Sequence, residues 1–195
     1  MKKIIFYFNH ALKKILIQRF YKKYVVKSKL IQQDIEQTFK VRQCKAQYES
    51  LEQKFKHLMV YYPEFAFVFF WRIKKASNVS KKIFAREYMC KIFGSTNIKG
   101  GLTCFHPFST VINAKSIGEN FEFRNNLTIG NKNNDNSLLP IIGNNVTLGA
   151  NVVIIGDITI GSNVVIGAGA VVVKDIPSNC VVAGNPAKII KTINE

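Results

Sequence analysis

The chain has 195 residues, 47% of them apolar, which suits one domain or one domain with a helical extension. Its formal net charge is +16, and the excess lies entirely in residues 1–100, with 22 Lys/Arg against 6 Asp/Glu; residues 101–195 hold 6 of each. A basic half invites phosphate binding, but no paired Cys/His zinc spacing, RNP-like aromatic motif or helix-turn-helix glycine turn is present, so no nucleic-acid partner is expected.

The basic half then reads either as a solvated helical face or as a surface attracted to an anionic membrane or an acidic substrate. Cys44, Cys90, Cys104 and Cys180 are far apart and form no CxxC, the pattern of reduced thiols in the cytoplasm. The start, "MKKIIFYFNHALKKILIQRF", opens like a signal peptide, but Lys13 and Lys14 interrupt its apolar run and no small-residue cleavage site follows. The aromatic run from Phe65 to Trp71 is too short to span a bilayer. Neither segment is expected to cross a membrane, although a basic amphipathic helix can lie on one, at the inner face of the cell membrane.

In chain order, Ile31, Ile35 and Phe39 recur at helical spacing, as do Leu51, Phe55, Leu58 and Met59. Pro63 suits the first turn of a further helix, with Glu64 near its positive dipole end and Phe65, Val68, Phe69 and Ile73 along one face. Ser80 as N-cap and Gly94 as C-cap bound one more predicted helix.

From residue 99 onward the period changes to six. Val111, Ile117, Phe123 and Ile129 are six apart, and so are Ile142, Leu148, Ile154, Ile160, Ile166 and Val172. Four places after most of these comes a second apolar or small residue, among them Phe121, Leu127, Val146, Val152, Val164 and Ala170. Neither the 3.6-residue helix nor the two-residue strand explains that period; a coil of short strands joined by tight turns does. Glycines such as Gly118, Gly143, Gly149 and Gly161 follow the anchors and are expected to let the backbone turn. Stepping back six from Val111 makes Phe105 an inward anchor and His106 the outward corner residue after it. An imidazole on an apolar wall is otherwise a packed ring; at a corner it is free to move a proton.

The segment from Ile142 to Lys191, with "IGAGAVVVKDIP" and "GNPAKIIK", resembles the hexapeptide-repeat acyltransferases, and the resemblance runs over roughly residues 95–191. It implies a mainly β protein with a helical N-terminal half: α-helices over 1–98, a left-handed parallel β-helix over 99–184 and a C-terminal cap segment over 185–195. It also implies acetyl-CoA as acetyl donor, no metal, and a homotrimer with its sites between subunits. By that resemblance Ala150 and Ala168 admit the pantetheine arm, Val173 and Lys174 lie further along it, and Lys188 and Lys191 stand near the phosphates. The alternative for the alanines is tight turning, and for the lysines solvation.

The stretch "LTCFHPFSTVINAKSIGENFEFRNNLTIGN" is similar to the serine-acetyltransferase segment that carries that family's catalytic histidine, which makes His106 the expected general base. Two departures argue against serine. Phe105 stands where those enzymes have an aspartate, and Leu139, before Pro140, stands where they have a second histidine. The combination of "PEF" at Pro63–Phe65 with "HP" at the site looks more like capsule and exopolysaccharide O-acetyltransferases. The expected reaction is acetyl transfer to a sugar hydroxyl of a surface polysaccharide or its precursor. Serine O-acetylation is the alternative, and a purely binding role a further one. A zinc carbonic anhydrase on the same coil would need several histidines on the repeat, and only His106 lies there.

Overall fold

The computed structural model describes residues 12–44, 47–74 and 78–193, with no side-chain description at Val79. The signal-like start through Ala11, including His10, lies outside the described residues, as do the last two residues of the cap segment. The chain divides into two compact units, with the boundary between Glu87 and Tyr88.

The first unit is helical. Helix α1 covers residues 12–20 and continues as a π-helical turn, Tyr21–Val25; α2 is Lys29–Val41, α3 Leu51–Tyr61, α4 Pro63–Ile73 and α5 Asn78–Phe84. Their starts follow local chemistry. Ser28 caps α2 by accepting from the Ile31 amide. Ser50 and Gln53 form a reciprocal capping box on α3. Pro63 opens α4, where its missing N–H is no loss.

The anticipated faces are buried: Ile31 and Ile35 on α2, Phe55, Leu58 and Met59 on α3, Phe65, Val68 and Phe69 on α4. Phe69 is the hub, with ring centroids 5.2 Å from Phe55 and 5.7 Å from Phe20. Two buried ion pairs cross this core. The guanidinium of Arg72 donates to both Asp34 oxygens, at 2.8 and 3.1 Å, and Arg42 approaches Glu64 at 3.6 Å. Glu64 therefore meets a side-chain cation as well as a helix terminus.

The second unit is a parallel β-coil. Three sheets, A, B and C, stack strand on strand, with the strands numbered in chain order, so that β3 is Thr103–Cys104, β4 Thr110–Ile112, β13 Val171–Val172, β14 Cys180–Ala183 and β15 Lys188–Thr192. The sheet A strands are Cys90–Ile92, Thr110–Ile112, Thr128–Gly130, Val153–Ile155 and Val171–Val172. Sheet B contains Asn97–Ile98, Ser116–Ile117, Ile141–Ile142 and Thr159–Ile160. Sheet C contains Thr103–Cys104, Glu122–Phe123, Thr147–Leu148, Val164–Ile166, Cys180–Ala183 and Lys188–Thr192. All pairings are parallel except the last, where β15 runs antiparallel to β14. The chain visits A, B and C in turn, the winding of a parallel β-helix, consistent with the left-handed coil expected from the sequence. One branched or aromatic residue per strand points into a column of Ile117, Phe123, Ile129, Ile142, Leu148, Ile154, Ile160 and Ile166, each 2% exposed or less.

Three sequence expectations need correction. The helix predicted from Ser80 to Gly94 stops at Phe84, and Cys90–Ile92 is instead the first strand of the coil. Ile92 pairs with Ile112 and fills the first inward position, a burial that local helix propensity does not offset. Val111 is not an inward anchor: it is 40% exposed, and its neighbour Ile112 is fully buried. Nor is Phe105 inward, because Cys104 pairs with Phe123 and takes that place at 2% exposure.

The glycines and asparagines of the corners divide two tasks. A Cβ on Gly161 would stand 2.5 Å from the Ser178 amide nitrogen, and one on Gly149 2.5 Å from that of Ala168. Neither glycine needs a positive φ; each is there because successive corners stack closer than a side chain permits. The left-handed turn itself falls to asparagine. Asn120, Asn145, Asn163 and Asn179 have φ of 57, 54, 57 and 60° at the corner from sheet B to sheet C. Their amides form a ladder, Asn120 donating to Asn145 at 2.9 Å, Asn145 to Asn163 at 2.9 Å and Asn163 to Asn179 at 2.8 Å.

Candidate active site on the corner from sheet C to sheet A

His106 lies between β3 and β4, at the corner where the chain passes from sheet C to sheet A. Six residues separate the inward anchors across this corner in later coils, from Phe123 to Ile129, Leu148 to Ile154 and Ile166 to Val172. In the first coil the interval from Cys104 to Ile112 is eight. Two extra residues widen the turn, and His106 rides on it.

The imidazole is exposed, and the His106 backbone has φ 49°, a left-handed conformation uncommon outside glycine. Ser109 repeats that conformation at φ 51°. The turn is closed by the Phe108 amide donating to the His106 carbonyl at 2.6 Å. It is tied to the next coil by the Asn126 amide donating to the Phe108 carbonyl at 2.8 Å and by the Phe105 amide donating to the Phe123 carbonyl at 2.9 Å. Pro107 is buried, and Phe108 stacks edge-on against Tyr88 at 4.9 Å. A non-glycine backbone held in this region by so many ties is the kind of strain found at functional sites.

Further coils add to the same corner. The Asn151 amide donates to the Asn125 carbonyl at 3.1 Å, and the Gly169 amide to the Ala150 carbonyl at 2.9 Å. His106, Asn125, Ala150 and Ala168 thus mark one edge of the coil. From the first to the last are three coil steps of about 4.8 Å, on the order of 14 Å. Ala150 is half-buried and Ala168 exposed, so beyond Asn125 this edge carries methyl groups, glycine and the exposed Asn151, whose carboxamide accepts from Asn126 at 2.6 Å.

Val173, Lys174 and Lys188 come together elsewhere, across the end of sheet A. They line an open groove of ≈ 170 Å³ with Val171, Ile176, Pro186 and Ala187. The Ala187 amide donates to the Val171 carbonyl at 2.9 Å and the Val171 amide to the Gly184 carbonyl at 3.0 Å, laying residues 184–187 along β13. Lys191 is not part of this groove: it is exposed on β15, paired with Val181.

One neighbour of His106 was not anticipated from sequence. The Arg124 guanidinium stacks on the Phe105 ring at 4.8 Å, one coil along from the histidine's own turn. The signal was available only through register, since Arg124 follows Phe123 as Phe105 follows Cys104.

Comparison with known proteins agrees with this fold. Residues 140–174 match the family Bacterial transferase hexapeptide (six repeats). The chain is 44% identical over 100 residues to the putative colanic acid biosynthesis acetyltransferase WcaB of Escherichia coli K12, a match covering 51% of this chain and 62% of that one. It is 34% identical over 131 residues to serine acetyltransferase 2 of Arabidopsis thaliana, covering 62% and 41% respectively. The chain therefore spans less than two thirds of the length of these relatives. Its fold is also that of the serine acetyltransferase of Brucella abortus solved in complex with coenzyme A, with TM-score 0.63, 22% identity, and 91% of this chain and 72% of that one covered. The C-terminal unit is a parallel β-helix, and residues 140–174 within it match the hexapeptide-repeat transferases. Over about half of its length the chain is similar to acetyltransferases.

Proposed function

We propose that this protein is an acetyl-CoA-dependent O-acetyltransferase whose acceptor is a sugar hydroxyl of a surface polysaccharide or its precursor. The observation that carries the reading is the widened corner, which presents an exposed imidazole on the same edge as Ala150 and Ala168. Acetyl-CoA supplies the acetyl group as a thioester. The fit to this chain is steric: an edge bare of side chains at Ala150 and Ala168 admits the pantetheine arm. Val173 lines the groove beyond it, Lys174 and Lys188 in that groove offer cations to the phosphates, and Lys191 is a further cation outside it. His106 takes the proton from the acceptor hydroxyl as that oxygen bonds to the acetyl carbon, and returns it to the departing thiolate sulfur.

The similarity to WcaB supports a glycan acceptor, and Phe105 in place of an aspartate argues in the same direction. The similarity to serine acetyltransferases supports L-serine as the second reading. Phe108, Val111, Val165 and Val173 are all at least 38% exposed on the coil, which supports a trimer that covers them and closes the site between subunits. Among the described residues no helix is long and apolar enough to cross a membrane. Along α1, the π-helical turn and the two residues after it, Ile15 and Val26 are exposed among Lys14, Arg19, Lys22, Lys23 and Lys27, which supports peripheral contact with an anionic membrane from the cytoplasmic side.

The test is release of coenzyme A from acetyl-CoA with L-serine, nucleotide sugars and oligosaccharides as acceptors. Replacing His106 by Ala is expected to lower kcat by about 10²–10⁴-fold while coenzyme A binding persists. Robust turnover of serine sinks the glycan assignment, and unchanged turnover by the variant sinks His106 as base.

A further inference from the structure

Arg124 stands beside the proposed site without an evident structural duty. Its side chain is 48% exposed, and among the described residues its ion-pair contact is Glu122 at 3.8 Å, the outer limit of such a pair. A guanidinium carries five N–H donors in a rigid fork, and a pair of that length leaves most of them to solvent. What fixes the group is the Phe105 ring, over which it lies at 4.8 Å. Phe105 is in turn anchored by its amide to the Phe123 carbonyl, so the guanidinium is held over its ring one coil along from His106. An arginine needed only for solubility gains nothing from being stacked in one orientation. Such stacking lowers the entropy lost when a planar anion is captured.

Resting on the reading of His106 as the base, we propose that Phe105 and Arg124 form the acceptor subsite, and that the acceptor carries an anionic group, a carboxylate or a phosphate, within reach of the hydroxyl to be acetylated. The shared chemistry is a pair of anionic oxygens received by the guanidinium fork. A uronic acid or an amino acid would provide a carboxylate; a sugar phosphate would provide a phosphate. Phe105 supplies the apolar floor on which the guanidinium rests, which gives this position a use that an aspartate would cancel by pairing with the cation.

Binding tests this without requiring turnover. Glucose, glucuronic acid and glucose 1-phosphate are titrated at low ionic strength into the wild-type chain and into R124Q, R124K and H106Q. We expect wild type to favour at least one of the two anionic sugars over glucose by about 10-fold or more, with the better of the two identifying the source of the charge. R124Q should bring that ratio to about one, R124K should keep part of it, and H106Q should keep it whole. The ratio is internally controlled, because a misfolded variant loses neutral and anionic sugars alike. Absence of an anionic preference in wild type, or its persistence in R124Q, overturns the proposal. If H106Q still transfers acetyl groups while R124Q loses the preference, the subsite stands and the assignment of the base falls.

Discussion

Asn145 is the middle rung of the asparagine ladder, and two replacements separate what it contributes. Its side chain donates to Asn163 and accepts from Asn120, each at 2.9 Å, and its φ is 54°. Asn145→Gly removes both hydrogen bonds but keeps the left-handed backbone accessible. At about 1 kcal/mol net for each bond, plus about 0.4–1 kcal/mol for the looser unfolded chain, the loss is about 2.5 kcal/mol. Asn145→Ala removes the same bonds and adds the left-handed penalty of about 1–2 kcal/mol for a residue with a Cβ, for a loss of about 3.5 kcal/mol. The glycine variant should unfold roughly 5–10 °C below wild type and the alanine variant a few degrees lower still. Thermal unfolding followed by circular dichroism at one fixed protein concentration reads this, since association would otherwise shift the midpoint. If alanine is as well tolerated as glycine, the corner conformation is not what selects asparagine. If glycine matches wild type, the ladder contributes nothing.

Two further outcomes follow from the site and the helical unit. Ala168→Leu places a larger side chain on an exposed corner, so folding should survive while coenzyme A binding weakens about tenfold or more by calorimetric titration; unchanged affinity would remove Ala168 from the donor path. His57 sits among Tyr48, Tyr61, Tyr62 and Phe39, accepts from or donates to the Tyr48 hydroxyl at 3.0 Å, and is held below the ordinary imidazole range by burial. Its unfolded form therefore binds the proton more readily, and stability falls as pH drops below about 6.5. His57→Gln should flatten that part of the stability profile in urea titrations at pH 5–7, and an unaltered slope would assign the acid sensitivity to other groups.

How much of the structure is legible in the sequence depends on how local the determining chemistry is. The apolar spacing of α2, α3 and α4 is read from residues three and four apart, and those faces are the ones buried. The inward column of the coil is equally legible from Ile142 to Val172, where every corner has the same length. Phe121, Leu127, Val146, Val152, Val164 and Ala170, four places after inward anchors, are fully buried too, and Ile158 and Ile176 in the same places are 9% and 7% exposed. Spacing alone misplaces the inward residues where corner lengths change. Eight residues separate Cys104 from Ile112 and five separate Ile112 from Ile117, so the two irregularities hide each other when only the spacing is counted. His106 is exposed, as expected, but because it rides on a lengthened turn and not because Phe105 points inward. Gly149 and Gly161 were expected for turning, and what demands them is the backbone of the next coil.

The sequence by itself therefore determined the period-six coil, its inward column, the helical character of the basic half and the candidacy of the one histidine on the repeat. A repeating hydrophobic pattern specifies which residues leave water, whatever the details of the turns. Only the tertiary structure decided that Cys90–Ile92 joins the coil, that the turn carrying His106 is two residues long in excess, and that Arg124 lies on Phe105. Each of these depends on which residue of the next coil lies alongside. That register is set by strand pairing across nearly twenty residues, and no short stretch of sequence contains it.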